Sequence, residues 1–143
     1  MRTDRPWITG AALAAALTAS FTALACGVCI EDRVAAVYQQ ASIDRAIARG
    51  QHVVFYSIDG SLLSTAAARK EVASAVEREG VQGTARVSTE SATVSVAFDP
   101  KRTSIARVQE RATHALAPRG LTLAALRVIG KDGVLREPGA AAQ

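Results

Sequence analysis

The sequence predicts an α+β domain with a four-stranded antiparallel sheet and two helices on one face of that sheet. Two observations lead to this class. From Gln51 onward, β-branched runs and helical stretches follow one another in the order β-α-β-β-α-β. The second and third strand runs are separated only by Glu90-Ser91, which indicates a hairpin. We therefore expect one domain, residues 51–136, preceded by a separate amino-terminal segment.

The first half of this domain is predicted to be a central strand followed by a helix. The run from His52 to Ile58 is apolar on both faces, which is typical of a strand in the middle of a sheet. Asp59-Gly60 predicts a turn. The helix is expected to begin at Ser64 or Thr65, because either side chain can cap its first turn. Its predicted buried stripe is Ala68, Val72, Ala75 and Val76.

The second half is predicted to contain a hairpin, a second helix and a last strand. The hairpin pairs the runs 84–89 and 92–98, and apolar residues at alternate positions of the latter predict one buried face and one solvated face. The helix is expected to begin at Thr103 or Ser104. Its predicted buried stripe is Ile105, Val108, Ala112 and Leu116. Residues 121–129 form the predicted last strand, with a small hairpin to Val134-Leu135. This order of elements predicts a ferredoxin-like arrangement.

The amino terminus is predicted to be a secretory signal peptide, residues 1–25. Arg2 and Arg5 precede an uncharged, alanine-rich stretch that ends in Ala23-Leu24-Ala25, the small-x-small pattern of a signal-peptidase site. We therefore expect the protein to be exported, to the periplasm. Two alternatives stay open, a lipoprotein acylated on Cys26 and an uncleaved membrane anchor, and only these two would attach the chain to a membrane.

Residues 26–50 are predicted to form a Cys-x-x-Cys motif and an amino-terminal helical segment. Ile30, Val34 and Val37 follow one another at helical spacing, a second short helix is expected from Ser42, and Gly50 ends the segment. At the other end of the chain, residues 137–143 are predicted to be a disordered tail.

Cys26 and Cys29 are the only cysteines of the chain. Thiols at this spacing can chelate one soft metal ion, close a short disulfide or take part in thiol-disulfide exchange. Monovalent copper and zinc are the expected ions, because thiolates select them. The redox interpretation is weakened because a thioredoxin-like motif follows a strand, and no strand is predicted before Cys26. Cleavage after Ala25 would add the free amine of Cys26 as a nitrogen ligand.

Charge and motifs exclude several other classes of function. The formal charge of +4 is dispersed, and no lysine or arginine run is interleaved with aromatic residues, so nucleic-acid binding is not predicted. The sequence has no phosphate-binding glycine loop and no nucleophile elbow, so no catalytic residue is assigned and the chain is expected not to be an enzyme. His52 and His114 are predicted to be a strand-edge residue and a residue on a solvated helix face.

The element order and the Phe98-Asp99-Pro100 strand ending resemble the heavy-metal-associated domain family over about residues 51–130. The resemblance implies a carrier of soft metal ions, usually monovalent copper, that binds them with two cysteines in the loop after the first strand. The corresponding loop here, residues 58–64, contains no cysteine. Either the motif at Cys26 and Cys29 is a displaced site, or the domain is a relative that binds no metal.

The leading functional prediction is an exported accessory protein that binds or transfers copper or zinc with Cys26 and Cys29. Its expected partner is another exported protein that handles metals or thiols. Two alternatives stay open: a periplasmic thiol-disulfide protein, and an interaction module that uses the outer face or an edge of the sheet while the cysteines form a structural disulfide.

Overall fold

The computed structural model describes residues 29–139 as four helices, a short 3₁₀ turn and five strands. The predicted signal peptide, Cys26 and residues 140–143 lie outside the described residues. The elements are α1 (Ile30–Ala35), α2 (Gln40–Ala48), β1 (His52–Asp59), α3 (Ala66–Glu77), β2 (Arg86–Ser88), β3 (Thr93–Phe98), α4 (Ile105–Leu116), the 3₁₀ turn (Ala117–Arg119), β4 (Thr122–Ile129) and β5 (Leu135–Arg136).

The strands form one antiparallel sheet in the order β2-β3-β1-β4-β5. β1 lies at the centre, as its two apolar faces predicted, and pairs with β3 and β4. The predicted hairpin of β2 with β3 is present, and β5 closes the small predicted hairpin with β4. Because the first four strands lie in the order 2-3-1-4 and helices connect β1 to β2 and β3 to β4, the predicted ferredoxin-like fold is confirmed.

The inner face of the sheet is covered by α3 and α4. Each of these helices begins where predicted, since the hydroxyls of Thr65 and Ser104 accept hydrogen bonds from Ala68 N–H and Arg107 N–H. The helices bury Val72, Ala75 and Val76 of α3 and Val108, Ala112 and Leu116 of α4. Tyr56 lies beneath them and donates a hydrogen bond to the Ile105 carbonyl at 2.9 Å. The predicted stripes are therefore correct, except that Ala68 and Ile105 are only half-buried.

The outer face of the sheet is covered by α1 and α2, so the prediction of a solvated face on β3 was wrong. All six residues of β3 are buried, including Thr93 and Ser95. The Ser95 hydroxyl donates a hydrogen bond to the Val37 carbonyl at 3.3 Å. The buried apolar residues of this second core are Val34, Val37, Ile43, Ala46, Val53, Phe55, Ala97 and Ile129. The fold thus has three layers, with the sheet between two pairs of helices.

This third layer also bears on two other predictions. An interaction module could not use the outer face of the sheet, because α1 and α2 already cover it. The predicted domain boundary at residue 51 passes through the second core, which contains residues from both sides of that boundary. At the carboxyl end, the described part of the predicted tail contains Glu137, whose carboxylate pairs with Arg127 at 2.7 Å.

Candidate functional site

Cys29 is the only residue of the predicted metal site that the structure describes. It is exposed and holds the position immediately before α1, where its carbonyl accepts a hydrogen bond from Arg33 N–H at 3.1 Å. Glu31 and Asp32 follow in the first turn of the helix. The thiol of Cys29 is therefore presented to solvent at the start of a short helix, as the sequence predicted.

Arg33 fixes α1 to one end of the sheet. Its guanidinium donates hydrogen bonds to the carbonyls of Ser91 and Ala92 at 3.1 and 2.9 Å. Charged donors form stronger hydrogen bonds than neutral donors, so these two contacts hold the helix firmly. Glu31 adds an ion pair with Arg127 of β4 at 3.3 Å. Nothing in the local sequence around Arg33 indicates partners 58 and 59 residues away, so this contact could not be predicted.

The start of α1 is thereby connected to the end of β1. The Ala92 carbonyl that binds Arg33 also accepts a hydrogen bond from Ile58 N–H at 2.8 Å. Ile58 is the penultimate residue of β1, and the loop from β1 to α3 follows directly. The helix turn that follows Cys29 is thus anchored beside the end of the strand that precedes this loop.

The loop from β1 to α3 offers no soft ligand. Its residues are Gly60, Ser61, Leu62, Leu63, Ser64 and Thr65, without cysteine or histidine. Gly60 has a φ of +117°, and a Cβ there would lie 2.3 Å from the Gly120 carbonyl oxygen, so the loop is packed closely on that turn. Hard hydroxyl oxygens do not suit a soft monovalent ion. Any soft-metal site in this region would need the upstream thiols.

Neither histidine lies where it could complete a site with Cys29. His52 begins β1, six residues before Ile58, so about 20 Å of strand separates the two positions. Its ring packs edge-on against Phe98, with ring centroids 5.7 Å apart. His114 is exposed on α4, on the opposite face of the sheet from α1. Within residues 29–139, no three histidine, cysteine or acidic side chains are grouped so that they could hold a metal ion.

The groups with shifted pKa values have structural roles. Burial raises the pKa of Tyr56, which stays a neutral hydrogen-bond donor beneath α4. Hydrogen bonds from Arg136 and from Val134 N–H lower the pKa of Asp132 from 3.8 to about 2. Because the pKa of Asp132 is lower in the folded state, its ionised carboxylate stabilises the β4–β5 turn at pH values above its ordinary pKa of 3.8. This stabilisation is lost as the pH falls toward 2.

Comparison with known proteins gives structural similarities only. No protein-family model and no curated protein sequence matches the chain.

Within the described residues, no helix has the length and apolar character needed to span a membrane.

The solved structures that are similar to the chain include oxidized MerP from Ralstonia metallidurans CH34, at 28% identity and a TM-score of 0.42 over 52% of this chain and 96% of MerP. A copper-binding domain of HMA7, a P-type ATPase, is 22% identical with a TM-score of 0.43 over 52% of this chain and 93% of that domain. The amino-terminal domain of the zinc(II) ATPase ZiaA, in its apo form, is 25% identical with a TM-score of 0.36 over 51% of this chain and 63% of that one.

Proposed function

We propose that this protein is a non-enzymatic, exported accessory that binds one soft metal ion, monovalent copper or zinc, through Cys26 and Cys29. The observation that supports this proposal best is the placement of Cys29. Cys29 is exposed, and Arg33 anchors the helix that follows it to the end of β1. Cys26 is three positions upstream, so two soft donors can approach one ion at a low cost of loop closure.

The environment of Cys29 suits transfer of an ion better than permanent storage. Structural metal sites are usually closed by four protein ligands. Here the described residues supply no further ligand cluster, so two thiolates would leave coordination positions open to a partner. A partner with its own thiols could then exchange ligands with the bound ion. We propose that this partner is another exported protein that handles metals or thiols.

Competition for copper tests this function. Reduced protein without residues 1–25, titrated anaerobically against a chromogenic chelator of monovalent copper, should retain roughly one ion per chain. Cys26→Ser and Cys29→Ser should each weaken retention by roughly 100-fold or more, because each change removes the second donor of a chelate. His52→Ala and His114→Ala are the matched controls and should retain copper like the wild type.

One result would refute the metal proposal, and a second would favour thiol-disulfide exchange. Equal copper retention by the wild type and the double serine variant would refute the metal proposal. If the wild-type protein also formed a Cys26–Cys29 disulfide with a potential near those of cellular thiol-disulfide proteins, thiol-disulfide exchange would replace metal binding as the proposed function.

A further inference from the structure

A groove between α2 and the start of β2 is lined by three arginines. Arg45 lies on α2, Arg49 directly follows that helix, and Arg86 is the first residue of β2. The groove has a volume of about 510 Å³, and no acidic side chain lines it. Gln51 and Gln82 add two amide side chains to its lining. The groove is separate from the proposed metal site, because Gln51 directly precedes β1, whereas the start of α1 is connected to the end of that strand.

Two of the guanidinium groups meet at one hydroxyl. Arg45 Nη2 lies 3.2 Å from Ser42 Oγ, and Arg86 Nη2 lies 3.5 Å from the same atom. Arg45 Nε also donates to the Ala41 carbonyl at 2.9 Å, which holds that side chain in place. Two like charges so close together repel one another, so this arrangement favours an anion that binds between them.

Within residues 29–139, no carboxylate forms an ion pair with Arg45, Arg49 or Arg86. Among residues 29–139, all five ion pairs involve other arginines: Arg111, Arg119, Arg127 (two pairs) and Arg136. Asp44, on α2 as well, accepts a hydrogen bond from the Gln40 amide at 2.6 Å. Glu77 of α3 accepts a hydrogen bond from the N–H of Ala85, a residue that lines the groove, at 2.9 Å. The guanidinium groups of the groove therefore retain donors for an external ligand.

We infer that this groove binds a phosphate group, either as free phosphate or as a phosphate monoester. A guanidinium presents several N–H donors in a planar fork that matches the oxygens of a phosphate. Three such groups around one groove suit the two negative charges of a phosphate better than the single charge of a carboxylate. This site is independent of the metal proposal and uses none of its residues.

Titration with inorganic phosphate at low ionic strength tests the inference. Backbone amide signals of Gly83 and its neighbours in the groove should shift saturably, and chloride at matched ionic strength should not reproduce the shifts. Arg45→Gln and Arg86→Gln should each weaken binding by about tenfold or more, the scale of a lost charge-assisted hydrogen bond. Arg107→Gln removes an exposed arginine of α4 and should leave the affinity unchanged.

The melting temperatures of the same variants check folding, and two further phosphate compounds check the source of the phosphate. Arg45→Gln and Arg86→Gln should leave the melting temperature unchanged or raise it, because each relieves repulsion in the groove. Glycerol 1-phosphate should bind like inorganic phosphate. Absence of saturable shifts, or an equal loss of affinity in Arg107→Gln, would overturn the inference. Binding only to phosphatidylglycerol vesicles would also overturn it, in favour of a membrane surface.

Discussion

A chain that begins at residue 51 is expected to lose cooperative folding, although the sequence predicted that residues 51–136 form a domain. Without α1 and α2, the outer face of the sheet would expose Val53, Phe55 and Ile129, together with Ala97. Burial of each large side chain contributes about 1.5–3 kcal/mol, whereas a whole domain is stable by about 5–15 kcal/mol. Loss of these contacts therefore removes a large share of the total free energy of unfolding.

Urea unfolding followed by circular dichroism measures this effect. The shortened chain should show a broad transition, or none, at urea concentrations where the intact protein is folded. A chain that begins at Cys29 is the matched control, because it keeps both helices and should unfold at the same midpoint as the longer protein. If the chain from residue 51 unfolded with the same midpoint and slope, α1 and α2 would not be part of the cooperative core.

Phe55→Ala is expected to destabilise the protein by about 3–5 kcal/mol. Phe55 is fully buried on the outer face of the sheet, and the ring of Tyr38 stacks on it with a centroid distance of 6.3 Å. Truncation would remove this contact and leave a cavity between the sheet and α1. The free energy of unfolding, measured from denaturant titrations, gives the cost directly.

Leu63→Ala is the matched control for this substitution. Leu63 is also a large apolar residue, but it is 65% exposed in the loop after β1. Its truncation should change the free energy of unfolding by less than about 0.5 kcal/mol. A cost below about 1 kcal/mol for Phe55→Ala would mean that the outer face is open to solvent and that the second core does not form.

The fold of the domain could be predicted from the sequence because its signals are local. A strand apolar on both faces, capped helices and a short hairpin connection each indicate one element, and together they allow few topologies. The hairpin connection is residues 89–92, two residues longer than the predicted Glu90-Ser91. The second core could not be predicted in the same way. Thr93 and Ser95 are polar, so alternation with valine suggested a solvated face, whereas a hydrogen bond to Val37 satisfies Ser95 in the buried state.

One signal for this second core was present in the sequence. The apolar stripe of Ile30, Val34 and Val37 needs a surface to cover it, and β1 is apolar on the face opposite to α3 and α4. Combining the two patterns would have predicted the contact. The anchor formed by Arg33 has no such signal, because it binds backbone carbonyls 58 and 59 residues away, and any peptide unit offers that acceptor.

The candidate site was predicted only in part. Exposure of Cys29 at a helix start follows from local sequence, because a helical stripe begins at the next residue. Its connection to the end of β1 depends on the tertiary contact of Arg33, which periodicity does not reveal. The absence of cysteine from the loop after β1 could be stated from the sequence alone, whereas the close packing of Gly60 on the Gly120 carbonyl is a tertiary contact.

X-ray absorption at the metal edge tests the central claim most directly, because it reports the ligand atoms of the bound ion. For the protein without residues 1–25, loaded with zinc under reducing conditions, we expect two sulfur ligands at about 2.3 Å, with lighter atoms completing the shell. The sulfur signal should disappear in the double serine variant. A shell of nitrogen and oxygen alone in the wild-type protein would contradict the assignment of Cys26 and Cys29 as metal ligands.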